Sequence, residues 1–174
     1  MRKYIIPIFL ILFLLSFAFA ETKAYVDEKN GFSIVPPEGW EVLEGSPYRV
    51  AVIFRGPINF GFATNINIGV TPVEGLSDED FYSNIDSFLE AVLEELSASF
   101  DSFNIVSQKE ILVNNLKAYE IEYTFEYQIF SLKQKQVYIF KNGKLYAITF
   151  TSTTANYDQY LPIFEDALQT FNIL

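Results

Sequence analysis

Neither cysteine nor histidine occurs among the 174 residues. Their absence excludes disulfides, thiol nucleophiles, Ser-His-Asp triads, zinc fingers and imidazole metal sites. Stability must therefore come from core packing alone. Cations are scarce: 12 Lys plus Arg stand against 22 Asp plus Glu, a net charge of −10. Phosphate recognition needs clustered cations, so nucleic acid is not expected as a partner. Trp occurs once and Met once. Charged residues make up only 20% of the chain, whereas 50% is hydrophobic and 17% aromatic. That balance is too apolar for disorder and ample for a packed core, and the length suits one domain. No residue pattern names a reaction, so catalytic residues and cofactors are expected to be none and the protein is not expected to be an enzyme.

Arg2 and Lys3 precede an apolar run from Tyr4 to Phe19 that closes on Ala18-Phe19-Ala20. A basic start, an apolar stretch and small residues two apart make a secretory signal peptide over residues 1–20, cleaved after Ala20. Residues 21–174 are then one domain. The alternative is an anchor formed by an uncleaved N-terminal segment, but the run is shorter than the ~20 apolar residues that span a bilayer. Without cysteine there is no lipid attachment. The expected location is secreted or extracytoplasmic (periplasm, cell envelope or lumen), with no stable membrane span after cleavage. Loss of Arg2 and Lys3 leaves ten cations against 22 acids, or −12. Such a surface repels anionic lipid and concentrates cations only diffusely.

Glu21 to Lys29 reads as a polar lead-in. Gly31 to Val35 is a short strand stopped by Pro36-Pro37, and Pro37-Glu38-Gly39-Trp40 is a turn, because Pro presets φ and Gly accepts positive φ. Trp40 beside that turn is a core anchor. Tyr48 to Arg55 is a second strand with Val50, Val52 and Phe54 on one face. Gly56-Pro57 breaks it, and Ile58 to Phe62 forms an apolar loop. A third strand runs from Ala63 to Val73. The clearest helix follows: Ser77 caps it, Asp78, Glu79 and Asp80 complement its dipole, and Phe81, Ile85, Phe88, Leu89, Val92, Leu93, Leu96 and Phe100 make one apolar stripe.

Strand signals then return. Phe103 to Val113 contains a strand, and Asn114-Asn115 is a tight turn. From Leu116 to Gln128 strict alternation predicts a half-buried antiparallel strand whose wet face carries Glu120, Glu122 and Glu126. Leu132 to Lys141 is its neighbour, with Lys133 and Lys135 facing those glutamates. Asn142-Gly143 is the strongest hairpin turn, Leu145 to Thr151 the last strand, and Asn156 to Phe171 a closing helix that tolerates Pro162 only in its first turn. Strands joined by tight turns, with helices set apart from them, predict an α+β fold built on an antiparallel sheet of about six or seven strands flanked by helices.

The pieces that invite a family comparison are Gly31-Phe32-Ser33-Ile34-Val35-Pro36-Pro37-Glu38-Gly39-Trp40, the helix start at Asp78, and Asn142-Gly143-Lys144-Leu145-Tyr146. Tyr160-Leu161-Pro162-Ile163-Phe164, Ser152 and Phe171 complete the set. In this order, over residues 25 to 174, they resemble the PsbP-like (Mog1/PsbP) superfamily. The resemblance implies an α/β/α sandwich and, in most cases, a non-enzymatic role: lumenal photosystem factors in plants and cyanobacteria, exported proteins elsewhere. The family's histidine-based metal binding has no counterpart here, the long basic arm of the photosystem factors is missing, and the Ran binding of the nuclear branch does not suit an exported chain.

Several groups are candidates for chemistry or binding. Glu74, Asp78, Glu79 and Asp80 are weak metal candidates for Ca²⁺, but their spacing fits a helix start and not a calcium loop, so no metal is expected. Glu120, Glu122 and Glu126 would be glycosidase acids only if they faced one another across a cleft, and strand neighbours two apart do not. Tyr119, Tyr123, Tyr127, Tyr138 and Tyr146 read as core and edge residues before they read as a groove. The partner-binding candidate is the loop with Pro57, Ile58, Phe60 and Phe62, whose alternative is to fold over and cover a sheet edge. The expected function is a binding or assembly module for an extracytoplasmic or membrane-associated protein. The alternative is a carrier of a small apolar ligand or peptide in a helix-sheet pocket.

Overall fold

A computed structural model describes residues 23–174; the expected signal peptide and its cleavage point lie outside the described residues. Three helices and ten strands follow in the order β1 (Tyr25–Asp27), β2 (Phe32–Ile34), β3 (Glu41–Glu44), β4 (Val52–Asn59), β5 (Phe62–Pro72), α1 (Asp78–Ser83), α2 (Ile85–Ser99), β6 (Asp101–Val113), β7 (Leu116–Tyr127), β8 (Phe130–Lys141), β9 (Lys144–Thr153), α3 (Tyr157–Gln169) and β10 (Asn172–Ile173). Seven of the strands form an antiparallel sheet in the order β3-β4-β5-β9-β8-β7-β6, and β1-β2-β10 form a small second sheet.

The expected α+β sandwich is therefore present, with helices on opposite faces. Side chains alternate across a strand, so Val137 and Ile139 of β8 join Ile148, Phe150, Phe164 and Phe171 in the core under α3 and the small sheet. Tyr138, one residue away, joins Leu89, Ile121, Tyr123 and Phe125 under α2. Phe150 stacks on Phe164 at 5.2 Å, and Phe81 stacks on Phe140 at 4.5 Å. Phe88 of α2 meets Tyr138 edge-on at 5.2 Å, so each helix docks by aromatic contact as well as buried area.

The turns follow from their residues. Trp40 N–H donates to the Pro37 carbonyl at 3.1 Å, with Gly39 at φ 75°; Asn114-Asn115 and Asn142-Gly143 both have positive φ, as two-residue hairpin turns require. Ser77 caps α1 by accepting the Asp80 N–H at 3.0 Å.

Other expectations are corrected. The lead-in contains β1, which pairs with β2. Tyr48 and Val50 precede β4: Tyr48 lies in a 3-10 turn. Gly56-Pro57 does not end β4. The strand continues to Asn59 with a register shift between Arg55 and Ile58, because a bulge absorbs the missing proline N–H. The long helix divides at Asn84, whose side-chain amide donates to the Asp80 carbonyl at 2.8 Å and competes with the backbone ladder. Pro162 is inside α3 and not in its first turn. The largest correction concerns β7: Glu120 and Glu122 are buried, because α3 covers the face expected to be wet.

Candidate functional site

The segment read as an apolar loop is the tip of the β4–β5 hairpin. Ile58 pairs with Ala63 and Asn59 with Phe62, leaving Phe60-Gly61 as the turn. Both central residues have positive φ, 51° at Phe60 and 89° at Gly61. Asn, Asp or Gly normally takes the first of these positions, since a side-chain-bearing residue there costs about 1–2 kcal/mol. Phe60 bears that cost and is still 94% exposed, so packing returns nothing for it.

A second tip stands beside the first. Between β7 and β8 the chain turns through Gln128, at φ 55°, and Ile129, which is 88% exposed. Phe62 and Phe130 join the two tips, ring centroids 5.4 Å apart. Ile58 and Tyr127 are also exposed, so Ile58, Phe60, Tyr127 and Ile129 make one apolar patch at an end of the sheet. Asn59 ties it to α3 by donating to the Tyr160 hydroxyl at 3.1 Å. Pro57 is exposed at the bulge below, while Phe62 turns inward onto Phe130. Sequence reasoning weighed Tyr127 only as one of five tyrosines for a groove, read as core and edge residues, and missed Ile129. The available signal was an isoleucine inside the short link between two alternating segments.

The acidic candidates do not converge. Asp78 binds Lys141 Nζ at 2.6 Å and accepts the Asn142 N–H at 2.9 Å, while Asp80 accepts the Ser77 hydroxyl at 2.6 Å. Among the described residues no group of three or more Asp, Glu, His or Cys is placed to hold a metal ion. Asp78, Glu79 and Asp80 form the first turn of α1, and Glu74 lies in the turn that precedes it.

Glu120 and Glu122 sit in a charge network under α3, while Glu126 remains exposed. Lys133 approaches Glu122 at 2.8 Å; Lys135 lies 3.4 Å from Glu120, 3.7 Å from Glu122 and 3.1 Å from Glu165; Lys109 reaches Glu120 at 3.3 Å. The counter-charge role of Lys133 and Lys135 is as expected, but the setting is interior. Tyr157 donates to Glu122 at 2.9 Å. Burial alone would raise the Glu122 carboxyl, yet Lys133, this hydroxyl and Lys135 hold it below the usual value. Burial likewise disfavours the Lys135 ammonium, yet Glu120, Glu165 and Glu122 raise its pKa. Glu120, Glu122 and Glu165 each have a lysine within reach, and the network fastens α3 to β7 and β8.

Tyr123, Tyr138 and Tyr146 are core residues and Tyr119 is half-buried. A hollow of about 320 Å³ lies between helix and sheet, lined by Val73, Leu76, Phe81, Phe88 and Leu145 among others.

A family model described as PsbP matches residues 20–173. No curated protein matches. Among solved structures, cyanobacterial PsbP (CyanoP) from Synechocystis sp. PCC 6803 is similar with a TM-score of 0.65 at 15% identity, over 87% of this chain and 92% of its own. LpqN of Mycobacterium tuberculosis, involved in cell envelope biogenesis, has a TM-score of 0.62 at 11% identity, over 87% and 89%. A protein of unknown function from Pseudomonas aeruginosa has a TM-score of 0.58 at 18% identity, over 85% and 94%. At these identities the likeness to solved structures shows the fold.

Proposed function

The chain belongs to the PsbP family, and from that premise we propose that it is an exported, non-enzymatic binding or assembly module. Its contact surface is the pair of hairpin tips bearing Ile58, Phe60, Tyr127 and Ile129. The observation that carries this reading is Phe60, a large apolar residue held in left-handed backbone and almost fully in water. Folding gains nothing from such a residue, so its use lies in contact with something else. The partner is an extracytoplasmic or membrane-associated protein, for which export and a likeness to LpqN both speak. Among the described residues no helix is long and apolar enough to cross a membrane.

The test pairs Phe60→Ser with Ile129→Ser. Cross-linking and capture from cell-envelope extract should lose the partners held by the unaltered protein, with the melting temperature unchanged or slightly raised. Equal capture by the double variant would rule out the tips as the contact surface. The carrier reading is favoured by the hollow beneath α1, and native mass spectrometry decides it: a bound small molecule on the purified protein supports the carrier.

A further inference from the structure

The sheet face that carries α2 is covered over β6, β7, β8 and β9: Ala147 packs against the core under α2, and Thr149 and Thr151 are buried. Beyond the helix, strands β3, β4 and β5 present a trough of about 550 Å³ lined by Leu43, Tyr48, Ile53, Arg55, Asn65 and Asn67, with two smaller residues. We propose that this trough binds an uncharged oligosaccharide, a function separate from the hairpin tips and independent of them.

Strand register lays out two polar rows across it. Arg55, Asn65, Thr151, Gln134 and Tyr123 are successive cross-strand partners on five strands, and Ile53, Asn67, Thr149 and Gln136 form the row beside them. Neighbouring strands are about 4.8 Å apart, so the first row spans roughly 19 Å. Its deeper end is saturated: Gln134 donates to the Tyr123 hydroxyl at 2.5 Å, Thr151 to Gln134 at 3.0 Å and Gln136 to Thr149 at 3.3 Å. The open end is not. Asn65 donates to the Ala63 carbonyl at 3.1 Å and Asn67 reaches Asn65 only at 3.4 Å. Among the described residues, Asn67 Oδ1 has no hydrogen-bond partner, and neither amide is saturated.

Two asparagines in β5, a strand paired on both sides, contradict strand propensity. Such a departure from local preference marks function when the fold does not require it, and both asparagines stand half-buried in the wall of the trough. Their chemistry then selects the ligand. A chain with 22 acids places none among the trough's lining residues, and its one cation, Arg55, is ion-paired with Glu41. That disfavours charged ligands of either sign. An amide floor disfavours a purely apolar ligand. An extended peptide would look for free main-chain groups; those of β4 and β5 are already paired, so it would add at the outer edge of β3 and not lie in the trough. An uncharged polyol remains: its vicinal hydroxyls both donate and accept, as a side-chain amide does, and its C–H face can lie on Tyr48, which is exposed, beside Leu43 and Ile53.

The experiment titrates the purified ¹⁵N-labelled protein with cellotetraose, maltotetraose and chitotetraose at millimolar concentration. At least one should shift the side-chain amides of Asn65 and Asn67 and the backbone of Tyr48 to Ile53. Asn67→Thr should weaken that binding by roughly tenfold, the scale of one lost hydrogen-bonded pair, while raising the melting temperature, because Thr suits a strand better. The proposal is overturned if no sugar shifts these signals, if the shifts fall elsewhere, if a neutral peptide such as pentaalanine produces them and the sugars do not, or if Asn67→Thr binds as tightly as the unaltered protein.

Discussion

Gly56 shows how one missing methyl group sets a local structure. A Cβ built there would lie 2.7 Å from the Trp40 indole, and Trp40 in turn meets Tyr160 of α3 edge-on, with centroids 6.4 Å apart. The glycine is needed for close approach and not for a special φ. Gly56→Ala should therefore lower stability by about 1–3 kcal/mol through overpacking, read as a drop in the urea midpoint at unchanged slope; an unchanged midpoint would mean the indole swings aside freely. Phe60 is the converse case. Phe60→Gly removes a strained side chain that packs on nothing, and it should raise the melting temperature by an amount matching about 1 kcal/mol. If it lowered the melting temperature, the ring would have a packing role that its exposure contradicts.

At the scale of elements, α3 does more than close the chain. Its apolar side seals one core, and its Tyr157 and Glu165 reach the charges of β7 and β8. Pro162 weakens this helix from within, since a proline there donates no bond to the Asp158 carbonyl and crowds it. Pro162→Ala should stabilise the protein, by up to about 3 kcal/mol if α3 does not bend to accommodate the ring; thermal melting of the variant checks it. Most strands were legible because alternation and turn residues agree: Asn142-Gly143 and Asn114-Asn115 stand where the hairpins turn. The short strands β1, β3 and β10 were not. Each has two to four residues, too few for a periodicity to register, and each exists because a partner edge was waiting for it.

The whole molecule is held by two cores on opposite faces of one sheet, and beneath α3 by the lysine–glutamate network. Glu122 titrates below its ordinary value in the folded state, so the unfolded chain takes up its proton first. Its stabilisation is therefore present above about pH 4.5 and is lost as the pH falls through and below that value. Lys135 is shifted upward, so its share is present below about pH 10.4 and is lost as the pH rises past it. The melting temperature should be flat across neutrality and fall on both sides, and Glu122→Gln should lower it at pH 7 while flattening the acid limb. An acid limb as steep as before would place the acid sensitivity elsewhere. Lys135→Met leaves Glu120 buried with only Lys109 for company and should cost about 3–5 kcal/mol.

The pattern of the chain alone determined the α+β class, the antiparallel pairing, the helix start at Ser77 and the apolar character of residues 58–62. Each of these is written in neighbours within a few residues of one another. Tertiary structure decided which faces are wet. A period of two reports that a strand has two sides, and only the packing of α3 decides that Glu120 and Glu122 lie inside. It also decided that the hairpin tips carrying Phe60 and Ile129, 69 residues apart in sequence, meet at one end of the sheet, where Phe62 touches Phe130.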